Sequence, residues 1–410
     1  MMKDFLPVIL GTDSNAYGMA KAFHMAYGIK SLVVGKGELF TTFGSQILDL
    51  KIVKELGEPD KFAEVLNELA ADLKKQYKNL ILVASSDGYV ELIVHHKKQL
   101  EGNFIVPFID EDLMLTLNSK AGFYETCEAQ GLNYPKTKVI GKSQLPQMSK
   151  IISSLDLGFP VVLKPSDSMR YFEAKFQGKQ KAYIIENEAI LADTIKSIYQ
   201  STYDAELILQ EYISGDDSSM RVLNCLSGPD GKVRLMCLGQ PLLEDPTPTL
   251  IGNYTAIIDA FDTEIFAEYK SFLEGIGYIG FSNFDMKYDP KTGKYKVFEI
   301  NLRQGRSSFF VTGSGYNQAA YLVDAFVYQS KYETVYADKP HLWLGIPKRV
   351  LRKYLDHASL KHEVNKRIDN NQTSSTLYYA KDRDIKRNLR VFRYYRRYIK
   401  TFETYFVKKI

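Results

Sequence analysis

The chain is 410 residues long, enough for two or three domains at roughly 150 residues each, so a single small module is excluded. Hydrophobic residues make up 45% and charged residues 25%, with 27 Gly and 14 Pro, a balance that excludes collagen-like, low-complexity and broadly disordered chains. A net charge of +4 is too small to make the whole protein a polyanion binder.

Phe5 to Leu10 is an apolar run closed by Gly11, followed by a helix-like segment from Ala16 to Tyr27 and a second apolar run, Ser31 to Val34. A long amphipathic segment, Asp60 to Tyr77, precedes the strand-like Asn79 to Ala84. A helix from Gly88 to Leu100 and a strand from Phe104 to Phe108 complete the pattern. Such alternation predicts a parallel sheet with helices on both faces. Ligands of these sheets lie beyond the carboxyl ends of the strands, here Gly11 to Gly18 and Ser85 to Gly88. GTDSNAYG lacks the G-x-G-x-x-G spacing, so it does not mark a dinucleotide site, and Gly11 and Gly18 are equally read as turn formers.

From Ser119 the pattern changes to two helices (Ser119 to Gly131, Ser143 to Leu157) and two strands (Val161 to Lys164, Lys181 to Ile185), an α+β module. From Glu206 strands dominate: Glu206 to Tyr212, Met220 to Leu226, Val233 to Gly239, Phe281 to Tyr288 and Tyr295 to Asn301, with one helix over Thr263 to Gly275. A mainly antiparallel sheet is expected there. Cys127, Cys225 and Cys237 form no C-x-x-C pair, so neither a disulfide framework nor a zinc cage is expected. Phe5 to Leu10 is too short for a signal-peptide core, and the charge-free stretch Ser307 to Val323 is broken by polar residues. A cytoplasmic protein without a transmembrane helix is expected.

Asp285, Glu299 and Asn301 form the sharpest constellation. Glu299 and Asn301 are two apart in a predicted strand and leave the same face. The turn Asp289-Pro290-Lys291-Thr292-Gly293 would fold that strand onto the one carrying Asp285, and a register centred near Thr292 sets Asp285 opposite Glu299. Two carboxylates and an amide oxygen suit Mg²⁺, a hard ion held by oxygen ligands together with substrate phosphates. Three polar residues on a solvated strand face are the plainer alternative. Lys164 ends the apolar strand of GFPVVLKP, where a lysine is costly unless it meets an anion such as phosphate. Lys120 could be a second phosphate contact or a surface lysine. Asp217 follows a strand and suits ribose hydroxyls, or is an ordinary turn aspartate.

GFPVVLKP, LILQEYISGDD, FSNFDMKYD and FEINLRQGRSS occur in the order and spacing of ATP-grasp carboxylate-amine ligases. Within that superfamily the chain resembles the D-aspartate ligases of peptidoglycan synthesis, through PVILGTDSNAYGMA, GDDSSMRVLN, LMCLGQPLLEDPTPTLIGNY and FSNFDMKYDPKTGKYKVFEINLRQGRSSFFVTG, over nearly its whole length to KDRDIKR. The resemblance implies a mixed α/β and α+β, ATP-grasp architecture: a Rossmann-like pre-ATP-grasp domain (1–118), a small ATP-binding lid (119–212), a larger antiparallel-sheet domain with the Mg²⁺ site (213–335), and a C-terminal extension (336–410). ATP would be held between the lid and the larger domain. Lys120 and Lys164 would contact its phosphates, Glu211, Tyr212 and Ile213 would line the adenine, and Asp217 would take the ribose. Asp285, Glu299 and Asn301 fall on the magnesium positions, for which two ions, replaceable by Mn²⁺, are expected. Arg303 matches the arginine that steadies the acyl phosphate, and Arg306, Ser307 and Ser308 lie where substrate carboxylates are bound.

The implied reaction is ATP-dependent: D-aspartate's β-carboxylate becomes an acyl phosphate and is joined to the ε-amine of lysine in UDP-MurNAc-pentapeptide or a lipid-linked precursor, serving cell-wall biogenesis and cell shape. Arg221, Arg303 and Arg306 are candidates to grip the aspartate carboxylates, since arginine can hold a carboxylate through two parallel hydrogen bonds. Arg221 is equally read as an ion-pair partner of Asp216 or Asp217. The Leu243 to Tyr254 loop could cap the amino-acid pocket or serve as a rigid connector. The loop from Ser166 to Tyr171 departs from the superfamily in lacking glycine, which leaves Arg170 as a candidate to supply charge. Another ATP-grasp ligase with a different amino acid or acceptor would keep every ATP and Mg²⁺ residue. A nucleotide-binding regulator would be expected to have lost one of them.

Residues 381 to 410 hold eleven Lys/Arg against three Asp/Glu, a net of +8, so the other 380 residues sum to −4. Aromatics are interleaved in RVFRYYRRYIKTFETYF. The tail reads as a solvated helix face with its aromatics packed on the body, or as peripheral attachment to the anionic inner leaflet. Nucleic acid is not an expected partner, because no recognisable fold for it is present.

Overall fold

In the computed structural model, which describes residues 2–147, 150–151, 157–248 and 250–407, the first apolar runs form a parallel sheet of order β3-β2-β1-β4. Its strands are β1 (Lys3–Leu10), β2 (Ser31–Gly35), β3 (Leu48–Ile52) and β4 (Tyr77–Ala84). Val8, Ile9 and Leu10 are all fully buried, the continuous apolar signature of a strand covered on both faces. β3 escapes the sequence pattern because it is an edge strand whose burial is interrupted by exposed residues. The helix expected from Asp60 to Tyr77 ends at Leu73, since Tyr77 is taken by β4, where it pairs with Lys3. The strand expected over Phe104 to Phe108 is a single bridge between Ile81 and Ile105. Pro107 has no N–H to continue the ladder.

The chain divides into two compact units: residues 1–118, 216–286 and 299–410, and residues 119–215 and 287–298. The smaller unit carries an antiparallel sheet of order β5-β8-β6-β7, from β5 (Thr137–Ile140), β6 (Val161–Pro165), β7 (Tyr183–Ile185) and β8 (Leu207–Glu211). Val161, Leu163, Leu207 and Leu209 pack there against Leu191, Ile195 and Ile198 of the Glu188–Tyr199 helix. Of the helix expected from Ser143 to Leu157, Lys142–Gln147 is a 3₁₀ turn, and residues 148–149 and 152–156 lie outside the described residues.

The larger unit adds β9 (Met220–Ser227), β10 (Val233–Glu244), β11 (Tyr254–Asp259), β12 (Gly280–Asp289), β13 (Lys294–Asn301), β14 (Val335–Tyr336), β15 (Leu342–Leu344) and β16 (Thr373–Ser374). Their order is β13-β12-β9-β10-β11-β15-β16, with β14 paired to β10. The β9, β10, β11 and β15 neighbours run antiparallel. β12 and β13 extend past the larger unit, so that residues 287–298 belong to the smaller one. The helix over Thr263–Gly275 forms as expected, with the Asp262 carboxylate accepting from the N–H groups of Glu264 and Ile265.

The C-terminal residues fold back onto the first ones. Lys21 is buried and donates to the carbonyls of Ser375 (2.7 Å), Tyr378 (2.8 Å) and Thr376 (3.3 Å), while burial lowers its pKa to about 7. Asp382 accepts from Tyr17 Oη (2.8 Å), Ser45 Oγ (2.7 Å) and the Gln46 N–H (2.9 Å). The basic tail is a helix, Ile385–Tyr405, whose Val391 and Tyr395 join one core cluster and Tyr398 and Phe402 another. Among the described residues no helix is long and apolar enough to cross a membrane.

Candidate active site

The carboxyl ends of β1 and β4 meet the segment that follows β13. The Asp13 carboxylate caps the Ser14–Tyr27 helix by accepting from Asn15 (3.0 Å) and Ala16 (2.9 Å) N–H groups. Asn15 Nδ2 donates to the carbonyls of Ser85 (3.1 Å) and Gln304 (3.2 Å), and Gln304 Nε2 donates to the carbonyl of Ala84 (2.8 Å). Burial raises the Asp13 pKa, while the Ala16 N–H, the Ser85 hydroxyl and Arg303 pull it down. Glycine is required at position 11, where φ is +114° and a Cβ would lie 1.9 Å from Ser85 Oγ. At Gly305 a Cβ would come within 2.8 Å of the Asn283 amide.

Arg303 is fixed from several sides. Its Nε pairs with Asp87 Oδ1 at 2.8 Å, its Nη2 reaches Asp87 Oδ2 (2.9 Å) and Asn301 Oδ1 (3.4 Å), and its Nη1 donates to the Gln304 carbonyl (3.0 Å). Asn301 Nδ2 in turn donates to Asn283 Oδ1 (3.0 Å) and lies 3.5 Å from Asp285 Oδ2. Asn283 Nδ2 donates to Asn224 Oδ1 of β9 (3.1 Å). β12 and β13 are neighbours, so the alternation that sends Asn283 and Asp285 to one face of β12 brings them to Asn301. The Tyr254 hydroxyl donates to Asp285. Burial pushes its pKa well above the usual tyrosine value, and the charges of Asp285, Glu244 and Glu299 raise it further. Asp285, Asn301 and Arg303 thus form one bonded group, with Glu299 within electrostatic reach of the same tyrosine. Two carboxylates and an amide make an oxygen-rich donor set that fits a hard divalent cation.

In the smaller unit, Lys164 Nζ donates to Gln210 Oε1 (3.3 Å) and lies 6.0 Å from the Phe298 ring centroid, while Lys120 Nζ donates to the Phe298 carbonyl (3.3 Å). Both lysines therefore converge on Phe298. The Glu211 carboxylate accepts from the Lys136 N–H (2.9 Å) and pairs with Lys296, which also pairs with Asp289 at 3.0 Å. The Glu211 side chain is thus committed to the local fold, and Lys287 ties the next residues by donating to the carbonyls of Ile213 (3.0 Å) and Gly215 (2.5 Å). Arg170 pairs with Asp167 and Asp204, each at 3.3 Å.

In the larger unit, Asp217 Oδ2 accepts from the Glu244 N–H (3.0 Å) and so pins the end of β10. Arg221 donates to the carbonyls of Ser218 (3.0 Å) and Met220 (2.8 Å), whereas Asp216 pairs with His357 at 2.5 Å. Ser307 and Ser308 are buried, with the Ser308 carbonyl accepting from Gln318 Nε2 (2.7 Å). Arg306 is exposed and lines a cavity of about 30 Å³ together with Asp245, Tyr254 and Tyr398. The loop between β10 and β11 is anchored there: Tyr398 Oη donates to Asp245 Oδ2 (3.1 Å), and the Asp245 N–H donates to the Asn253 carbonyl (2.7 Å).

The sequence places Asp13, Asn15 and Asp87 within the segments Gly11 to Gly18 and Ser85 to Gly88, and Tyr254 at the end of the Leu243 to Tyr254 loop, without giving any of them a role, and it does not mark Asn224, Asn283 or Gln304 as site residues. Asn283 was within reach, because it stands two residues before Asp285 in a predicted strand and shares its face. Asn224 stands on a separate strand, and no local spacing joins it to Asp285.

The chain is 42% identical over 410 residues, covering 98% of itself and 97% of its relative, to a D-aspartate ligase of Enterococcus faecium (strain Aus0004). No family model matches it. Among solved structures it is similar to an N5-carboxyaminoimidazole synthetase from Staphylococcus aureus (TM-score 0.59, 16% identity, 83% of this chain and 82% of that one). It is also similar to the biotin carboxylase domain of a Hydrogenobacter thermophilus 2-oxoglutarate carboxylase in complex with MgADP (TM-score 0.59, 15% identity, 80% and 71%). At these identities the structural likeness speaks for the ATP-grasp fold.

Proposed function

The chain belongs to the D-aspartate ligases, ATP-dependent enzymes that form a carbon–nitrogen bond, and from that premise we propose its substrates and the residues that handle them. The reaction joins the β-carboxylate of D-aspartate to the ε-amine of lysine in UDP-MurNAc-pentapeptide or its lipid-linked form. The observation that carries the reading is the bonded group of Asp285 within β12, Asn301 at the end of β13 and Arg303 just beyond it.

A carboxylate acylates an amine only after a phosphoryl group has made its oxygen a leaving group, and that transfer depends on positioning and charge neutralisation. Lys120 and Lys164 take the ATP phosphates, Tyr212 and Ile213 the adenine, and Asp217 the ribose. Asp285, Glu299 and Asn301 would hold Mg²⁺, as two ions replaceable by Mn²⁺, and the metal would supply neutralisation of the phosphate charge. D-aspartate's carboxylate attacks the γ-phosphate, giving β-aspartyl phosphate and ADP; the lysine amine then attacks the acyl carbon and phosphate leaves. Arg303, oriented by Asp87, stabilises the negative charge on the acyl phosphate and the tetrahedral intermediate. Arg306, with Arg221, Ser307 and Ser308, reads the amino acid's carboxylates. Tyr254 positions Asp285 through its hydroxyl.

The test is phosphate release with ATP, Mg²⁺ and UDP-MurNAc-pentapeptide, run with D-aspartate, L-aspartate, D-alanine and no amino acid, with product mass determined. Release with D-aspartate alone and a product heavier by one aspartyl residue is expected. Release with another amino acid instead would overturn the substrate assignment and leave the ligase chemistry standing.

A further inference from the structure

The C-terminal helix has two faces. Arg387, Val391, Tyr395, Tyr398 and Phe402 are buried, and their spacing of four, four, three and four residues makes one stripe packed on the body. Away from it, Arg393, Arg396, Arg397 and Lys400 are exposed. These stand at i, i+3, i+4 and i+7, so they share one solvent face. Among the described residues none of the four is ion-paired. Leu389 and Phe392 stand exposed beside them, 46% and 49% accessible, and the Arg396 guanidinium lies 5.7 Å from the Phe392 ring centroid. Phe392 and Arg396 also line a cavity of about 940 Å³ with Lys348 and Arg349, so cations of a second helix join the face.

We propose that this face is a docking surface for an anionic lipid bilayer. Unpaired arginines side by side repel one another and are retained at less cost when an anionic surface meets them. The net +8 of residues 381–410, set against −4 for the rest of the chain, concentrates positive charge in this segment of the sequence. Leu389 and Phe392 gain by entering the interfacial layer below the headgroups, a gain that a nucleic-acid backbone does not offer. Single strands are held on successive exposed aromatic rings, but Tyr395 and Tyr398 are consumed by the core and Tyr394 is partly buried against it. The proposal requires nothing of the amino acid or the acceptor and is independent of the substrate reading above.

The experiment is sedimentation of the full-length protein with vesicles of phosphatidylglycerol and phosphatidylcholine, and with phosphatidylcholine alone, at low and high salt. Binding at least about ten-fold tighter to the anionic vesicles, weakening as salt rises, is expected. The triple variant Arg393→Glu, Arg396→Glu, Arg397→Glu should lose about 100-fold or more of that binding while releasing phosphate with a soluble acceptor as the parent does. Lys400→Glu alone should show a smaller loss, and it serves as the reading if the triple variant does not fold. No preference for anionic vesicles, undiminished binding by the variants, or displacement of the vesicles by a single-stranded oligonucleotide would each overturn the proposal.

Discussion

Two arginine–aspartate pairs in the larger unit do opposite work. Arg387 and Asp382 are both completely inaccessible, 3.3 Å apart, and Asp382 also gathers Tyr17, Ser45 and the Gln46 N–H. Arg303 is 14% and Asp87 62% accessible, 2.8 Å apart, beside Asn301 and Asp285. The first pair sits where water cannot reach, so its charges serve to join the C-terminal segment to the first helix. The second keeps its arginine oriented while leaving the surroundings open. A charge that must stabilise a transient anion needs this second arrangement, oriented in advance and reachable.

The largest expected effect comes from breaking the closed pair. Asp382→Asn leaves Arg387 buried without a counter-charge and should cost about 3–5 kcal/mol in the urea-unfolding free energy, with little change in kcat for the protein that remains folded. Replacing both partners, Asp382→Leu with Arg387→Met, should restore only part of it, because Tyr17, Ser45 and Gln46 would still lack their acceptor. Full restoration would mean that the ion pair alone carries the effect.

Breaking the open pair should read out in rate. Arg303→Ala is expected to lower kcat by about 100- to 1,000-fold, about 3–4 kcal/mol in the barrier, with the KM for ATP and the melting temperature nearly unchanged. A raised KM with unchanged kcat would reassign Arg303 to substrate binding. The smallest effect should come from the tyrosine beside the group: Tyr254→Phe removes the hydrogen bond to Asp285 and should weaken activation by Mg²⁺ about ten-fold, measured as the metal concentration at half-maximal phosphate release. Unchanged activation would confine Tyr254 to packing.

The sequence by itself determined the alternating first sheet, the turn to antiparallel strands, the hairpin that carries Asp285 and Asn301, and the motifs that lead to the ligase family. Each of these rests on period-2 or period-3.6 spacing or on contiguous residues, which a linear reading can follow. Only the tertiary structure decided that Asp87 orients Arg303, that Tyr254 reaches Asp285 across the sheet, and that the Glu211 carboxylate is spent on Lys296. It also decided how the tail's aromatics are divided, with Tyr395, Tyr398 and Phe402 buried and Phe392 left outside. The three site contacts join residues 31, 85 and 216 positions apart. Which distant groups meet is fixed by how sheets and helices pack, and no local spacing records it.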